Sequence, residues 1–234
     1  MRLHRFIVDN NLQSGLLVID DEQLLYQLKD VLRLKSGDEI ILADGRGKEA
    51  LVKISGYKGK GVEVEIAGVS DNKNEPDIIV NLYCSILKRD NFELIVQKVT
   101  EIGVKNIIPI ISKRTVKLDF KRERLEKIIK EAAEQSGRGI IPKLAEPIKF
   151  SDAVSLASKE TNILLDISGE PSAFKPTKDS RALSCWIGPE GGWDEEEVNF
   201  AKENGFRILS LGLLTLRAET AAIVASYLSV HKMF

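Results

Sequence analysis

The 234-residue sequence predicts a two-part α/β protein, a small β-rich unit followed by a larger unit in which strands and helices alternate. Up to about Gly68 the apolar residues alternate with period two in short runs separated by Gly, Asn and Asp turns, the pattern of a small antiparallel barrel or sandwich. Beyond Pro76, strand-like apolar runs alternate with helical apolar faces, and repeated βα units imply a mainly parallel sheet covered on both faces. Between them, Asp71-Asn72-Lys73-Asn74-Glu75-Pro76 has the polarity of a linker and ends in proline, so the domains are placed at residues 1–70 and 71–234.

In the first domain the strands are expected at Leu3–Val8, Leu16–Ile19, Glu39–Ala43, Ala50–Ile54 and Val62–Ile66. One helix, Asp21 to Leu32, interrupts them, with Leu24, Leu25, Leu28, Val31 and Leu32 on one face. The second domain opens with a strand at Ile78–Ile86. Phe92, Ile95, Val96, Val99 and Ile102 then share a helical face that Gly103 closes as a C-cap. A strand at Ile107–Ile111 precedes a helix from Arg122 to Ser136, with Leu125, Ile128, Ile129, Ala132 and Ala133 inward and Gly137 at its end. Strands follow at Ile163–Leu165, Ser184–Ile187 and Ile208–Leu211. Asp194 with Glu197 three residues later signals a capping box, and a last helix runs from Ala218 to about His231.

Composition narrows the function classes. Hydrophobic residues at 43% and charged residues at 29% are those of an ordinary globular protein. No apolar run approaches the ~18 residues of a membrane span, and no cleavable leader pattern opens the chain, so a cytoplasmic protein without a membrane partner is expected. Cys84 and Cys185 lie far apart in apolar strands, and only His4 and His231 add imidazoles, which argues for buried packing thiols and against a metal site or disulfide framework. The net charge of −1 hides an uneven distribution, because residues 85–149 hold fifteen basic and nine acidic side chains, an excess suited to phosphates or to a solvated helix face.

Two glycine-punctuated stretches carry the chemistry. Gly45-Arg46-Gly47-Lys48-Glu49-Ala50 fits a dinucleotide fingerprint, but Leu51-Val52-Lys53-Ile54 alternates like a strand where a helix is required, so a hairpin turn is expected. Ile187-Gly188-Pro189-Glu190-Gly191-Gly192-Trp193 and Leu211-Gly212-Leu213-Leu214-Thr215-Leu216-Arg217-Ala218-Glu219-Thr220 each follow an apolar strand and lead into a helix. Backbone without side chains can approach a flat ligand closely, and two strand-end turns one βα unit apart would sit side by side at the carboxyl edge of the sheet. Neither turn has the Lys-Ser or Lys-Thr of a phosphate loop. Arg217 and Glu219 project from one junction, either toward a ligand or toward each other.

Ile187–Gly192 as IGPEGG, Leu211–Thr220 as LG-x-x-x-LRAET, Glu93–Gly103 as ELIVQKVTEIG, Glu131–Arg138 as EAAEQSGR and the opening Arg2-x-His4-Arg5-Phe6 together resemble the ribosomal RNA small-subunit methyltransferase E family. The resemblance runs over nearly the whole chain in matching order. It implies a PUA-like RNA-binding β-barrel joined to a SPOUT methyltransferase domain with a C-terminal trefoil knot. It further implies a homodimer, S-adenosyl-L-methionine as cofactor, and methylation of uridine N3 in 16S rRNA within the small ribosomal subunit. The cofactor residues it implies are Leu165, Ile187, Gly188, Pro189, Glu190, Gly191, Gly192, Leu211, Gly212, Leu214, Thr215 and Leu216. Two departures stand out: Leu25-Tyr26-Gln27 precede Val31-Leu32-Arg33 where relatives commonly carry histidines, and Trp193 replaces a usual phenylalanine.

Methylating uracil N3 requires loss of its proton and stabilisation of an imide anion spread over O2 and O4. A helix N-terminus and a neighbouring arginine both favour a charged carboxylate, so Glu219 is a weak base. Arg217 is therefore expected as the electrostatic stabiliser, with Glu219 orienting it or relaying the proton. Because N3 lies on the pairing edge, the target must be unpaired or flipped out. Arg5 and Arg33 in the barrel, and Arg114, Gln135 and Arg138 in the basic segment, are expected at RNA; Gln135 and Ser136, beside Arg138 at the end of a helix, either reach the active site or form a polar helix terminus. Rival readings are a non-catalytic rRNA-binding assembly factor, a relative acting on another nucleotide, and a small α/β phosphotransferase or hydrolase.

Overall fold

The computed structural model describes residues 3–116, 120–157, 161–171 and 181–231. Arg2 of the opening motif lies outside the described residues. Contacts divide the chain into two units, Met1–Glu75 with Ala133–Ile141, and Pro76–Ala132 with Pro142–Phe234. The division at Glu75, and not after residue 70, has a local cause. Ser70–Asp71 forms a short strand, the Asn74 side chain donates to the Gly137 carbonyl at 2.9 Å, and a Glu75 oxygen accepts the N–H groups of Gly139 and Ile140, both at 3.0 Å. The polar stretch read as a linker is thus bonded over much of its length.

The first unit contains β1 (Arg5–Ile7), β2 (Gly15–Ile19), α1 (Glu22–Tyr26), a π-helical turn (Gln27–Val31), β3 (Glu39–Ala43), β4 (Lys48–Lys58), β5 (Gly61–Ile66) and β6 (Ser70–Asp71). The strand order is β1-β3-β4-β5-β2, with β6 on β4. Every pairing is antiparallel except β1 with β3, which is parallel and departs from the expected all-antiparallel pattern. Ile40, Leu42, Val52, Ile54, Val62 and Val64 alternate inward to build its core. The Gly45–Gly47 segment is the hairpin turn between β3 and β4, both glycines at positive φ, so the dinucleotide pattern is indeed a decoy.

The single helix expected over residues 21–32 is instead one α turn and one π turn. Asp21 caps it, accepting the N–H groups of Gln23 at 2.9 Å and Leu24 at 3.0 Å. The Leu32 N–H then reaches the Gln27 carbonyl five residues back, and this widening rotates the face. Leu24 and Leu28 remain buried, whereas Val31 turns outward.

The second unit contains β7 (Ile79–Ser85), α2 (Arg89–Ile102), β8 (Asn106–Ile111), most of α3 (Arg122–Ser136), β9 (Lys143–Leu144), β10 (Ile148–Lys149), α4 (Phe150–Leu156), β11 (Thr161–Pro171), β12 (Ala182–Ile187), α5 (Glu195–Glu203), β13 (Arg207–Ser210) and α6 (Ala218–Val230). All strand pairs are parallel, in the order β10-β8-β7-β12-β11-β13 with β9 also on β8, as the βα alternation predicts. Leu183, Cys185 and Ile187 of β12 face one core with α2 and α6, and Trp186 faces the other with Phe150 and Phe206. Gly103 caps α2 at φ +113. The sequence reading passed over β9, β10 and α4, whose strands are too short to show a period. No helix among the described residues is long and apolar enough to cross a membrane.

Candidate active site

The carboxyl ends of three neighbouring strands build the site. Leu165 of β11 pairs in register with Ile187 of β12, and Leu209 of β13 lies beside Leu165 on the other side. β12 runs into Gly188-Pro189-Glu190-Gly191-Gly192, a turn closed by the Gly192 N–H on the Pro189 carbonyl at 2.9 Å, with Gly192 at φ +72. The capping box that then starts α5 uses both reciprocal bonds of Asp194 and Glu197. After β13, Gly212 at φ +130 reverses the chain, its carbonyl accepting the Ser210 hydroxyl at 2.8 Å, and the loop delivers Arg217 as N-cap of α6.

The two glycine turns converge on one cavity of about 570 Å3. Leu165, Ile187, Gly188, Pro189, Glu190, Gly191, Gly192, Thr215 and Leu216 line it, as do both Arg217 and Glu219. Three predicted cofactor residues do not. Leu211 packs against the apolar core, Gly212 serves the chain reversal, and the Leu214 side chain stands in solvent. The reading also missed lining residues. Lys88 and Asn91 come from the start of α2, a hundred residues earlier in sequence, so no local pattern marks them. Asp166 and Ile167 enter because β11 loses register with β13 between Leu165 and Glu170. Their one signal is an Asp-x-Ser-Gly run that ends the apolar strand.

Charged side chains line this cavity beside its apolar residues and glycines. The Arg217 side chain is 86% exposed and stands 3.9 Å from the Glu219 carboxylate, which is 12% exposed, so the two are near but not clamped. Glu190 accepts the Lys88 backbone N–H at 3.2 Å, tying the turn to the start of α2. Asp166 accepts the Ser168 N–H at 2.9 Å. Arg114 donates to the Gly191 carbonyl at 3.0 Å and pairs with Asp194 at 3.3 Å. Lys113 bonds Glu196 and Asp194, which raises the lysine pKa, and the Lys113 bond is the main cause holding Asp194 below its usual value. Cys84 and Cys185 are buried with their thiols pushed up by desolvation, Cys185 to about 12, so neither is a nucleophile.

The RNA candidates separate. Arg138 is 4% exposed and its guanidinium is held by Glu75 at 2.9 Å, and Arg5, largely covered, is bound to Glu49 at 2.6 Å. Both guanidiniums are engaged by carboxylates of the chain itself. Arg33 and Gln135 are exposed; Arg114 is half-exposed and already engaged with the Gly191 turn. A second cavity of about 670 Å3, between α4 and α5, is lined by side chains of both signs around Phe150 and Phe200 and contains neither glycine turn.

The chain is similar to known proteins over most of its length. The RNA methyltransferase domain family matches residues 74–229, and the RNA methyltransferase PUA domain family matches residues 19–67. A ribosomal RNA small subunit methyltransferase E from Synechocystis sp. is 34% identical over 209 residues, covering 86% of this chain and 68% of the relative. One from Bacillus subtilis is 32% identical over 216 residues, covering 86% and 84%. The crystal structure of a ribosomal RNA small subunit methyltransferase E from Neisseria gonorrhoeae bound to S-adenosyl methionine superimposes with a TM-score of 0.89, at 31% identity, over 96% of this chain and 95% of that one.

Proposed function

The chain belongs to the ribosomal RNA small subunit methyltransferase E family, and from that membership we propose that it transfers the methyl group of S-adenosylmethionine to N3 of an unpaired uridine in 16S rRNA of the small ribosomal subunit. The observation that carries this reading is the convergence of the two glycine turns on one cavity with Arg217 and Glu219 at its wall. Its volume, about 570 Å3, lies in the range of small-molecule clefts.

The residues present fit the cofactor. Gly188, Gly191 and Gly192 offer a floor of bare backbone, Leu165, Ile187 and Leu216 supply apolar walls for a flat base, and the carboxylates of Glu190 and Asp166 suit its cationic portion. At Gly188 a Cβ would lie 3.1 Å from the Trp193 ring, so the cradle depends on the absent side chain. S-adenosylmethionine supplies an electrophilic methyl group when bound. The protein's own task is the nucleophile. Arg217, with its guanidinium free of tight partners, neutralises charge developing on a uracil carbonyl oxygen, and each pKa unit of such stabilisation is worth about 1.4 kcal/mol. Glu219 orients that guanidinium or passes the N3 proton outward. Lys88, exposed at the cavity and fixed by its backbone bond to Glu190, adds a second cation.

RNA is gripped at exposed cations, Arg33 among them, and binding weakens as salt rises. The protein works as a homodimer in the cytoplasm, where its subunit substrate resides. Leu213, 99% exposed, and Leu214, 81% exposed, lie on the loop that forms the cavity and support burial against a second copy. The test is incubation with labelled S-adenosylmethionine and small subunits lacking the modification, followed by nucleoside analysis. Labelled N3-methyluridine is expected; a different methylated nucleoside, or none, overturns the reading.

A further inference from the structure

We infer that Trp193 is a positioning residue for the cofactor site, a side chain that sets the spacing between the ends of β11 and β12. The inference rests on the cavity being the S-adenosylmethionine site. Trp193 belongs to the turn after β12, yet its indole N–H donates to the Leu165 carbonyl at the end of β11, at 2.9 Å. Leu165 is the last residue of β11 in register with β12 before the strand shifts against β13. Its carbonyl therefore stands where regular strand pairing stops, and a donor from the next loop holds it.

The same ring touches the other wall. An ideal Cβ at Gly188 would lie 3.1 Å from Cε2 and Nε1 and 3.2 Å from Cδ2 of Trp193, so the Gly188 backbone rests directly on the five-membered part of the indole. Phe150 backs the ring from the core, with centroids 5.0 Å apart, and only 5% of Trp193 is exposed. Leu165, Gly188 and Trp193 all line the cavity. One rigid bicycle thus bonds one strand end and seats the other, and the width available to a flat base follows from it. Gly192 at φ +72 supplies the reversal that returns Trp193 across the strand ends.

Trp193→Phe keeps a packed ring and removes the donor, and Gly188→Ala presses on the ring. Calorimetric titration with S-adenosylmethionine and steady-state methyl transfer on unmodified small subunits read the outcome, with melting curves and circular dichroism to confirm folding. Binding by the wild-type protein is the check on the site itself; failure there removes the cofactor reading. Given that binding, Trp193→Phe is expected to raise Kd and KM for the cofactor about fivefold, the value of one hydrogen bond, with kcat at saturating cofactor within about twofold. A merely structural role lowers the melting temperature and leaves Kd of the folded protein unchanged. Gly188→Ala alone is expected to weaken binding, and the double variant to weaken it less than the product of the two single effects, because the smaller ring relieves the contact. An unchanged Kd in folded Trp193→Phe, or strictly multiplicative effects in the cycle, overturns the assignment.

Discussion

Arg217, the N-cap of α6, and Glu219 on its first turn stand 3.9 Å apart with very different surroundings, one in solvent and one mostly covered. A guanidinium held this loosely is available to a ligand, and its removal should touch the reaction more than the resting site. Arg217→Ala is expected to lower methyl transfer by about a hundredfold or more, the scale of losing one oxyanion donor, and to leave cofactor Kd within about threefold. Equal losses in the two measurements reassign Arg217 to binding. Arg33 poses the reverse case. It is the one non-glycine residue at positive φ among the described residues, at φ +55 just after the π turn, a conformation that costs roughly 1 kcal/mol outside glycine. Arg33→Gly should therefore raise the midpoint of urea unfolding while weakening RNA binding and flattening its salt dependence. Both glycine turns and the Arg-x-Glu pair were legible in the sequence because glycine beside an apolar strand is a local signal. Arg138 was not, since nothing near it in sequence announces Glu75 as its partner.

Among the elements, α2 and α3 show how far periodicity reaches. Both were read with their apolar faces and terminal glycines, and α3 lies at Arg122–Ser136 as predicted. The bond between them was not readable. Glu93 of α2 accepts from Arg124 of α3 at 2.5 and 2.8 Å and from Arg89 at 3.0 Å, and these bonds, Arg124 first, hold its carboxyl at about 2. The folded-state value lies below that of the unfolded chain, so this contribution is complete above the ordinary carboxylate range and fades as pH falls toward about 2. Thermal melts of wild type and Glu93→Gln between pH 7 and pH 2 should show the wild type more stable at the upper end and the curves closing at the lower end; parallel curves would deny the pairs any part in stability. The π turn and the parallel β1–β3 pair escaped the sequence reading for a related reason. Each is decided by packing against residues distant in the chain, where period-two and period-3.6 patterns carry no information.

At the scale of the molecule, two leucines of the cavity loop, Leu213 and Leu214, stand almost wholly exposed, at 99% and 81%. If a second copy covers them, Leu213→Asp with Leu214→Asp should convert a dimer into a monomer by light scattering and depress methyl transfer in step. A wild-type monomer in solution would sink the dimer proposal. The sequence alone divides the protein with one boundary, whereas the chain leaves its first unit after Glu75 and returns for Ala133–Ile141. No single cut can free either unit. A protease nick near Pro76 leaves the carboxyl fragment carrying nine residues, Ala133–Ile141, that complete the other unit's fold. The two pieces should therefore travel together on a sizing column until denaturant parts them, and a gene fragment stopping at Glu75 encodes a barrel missing part of its own structure.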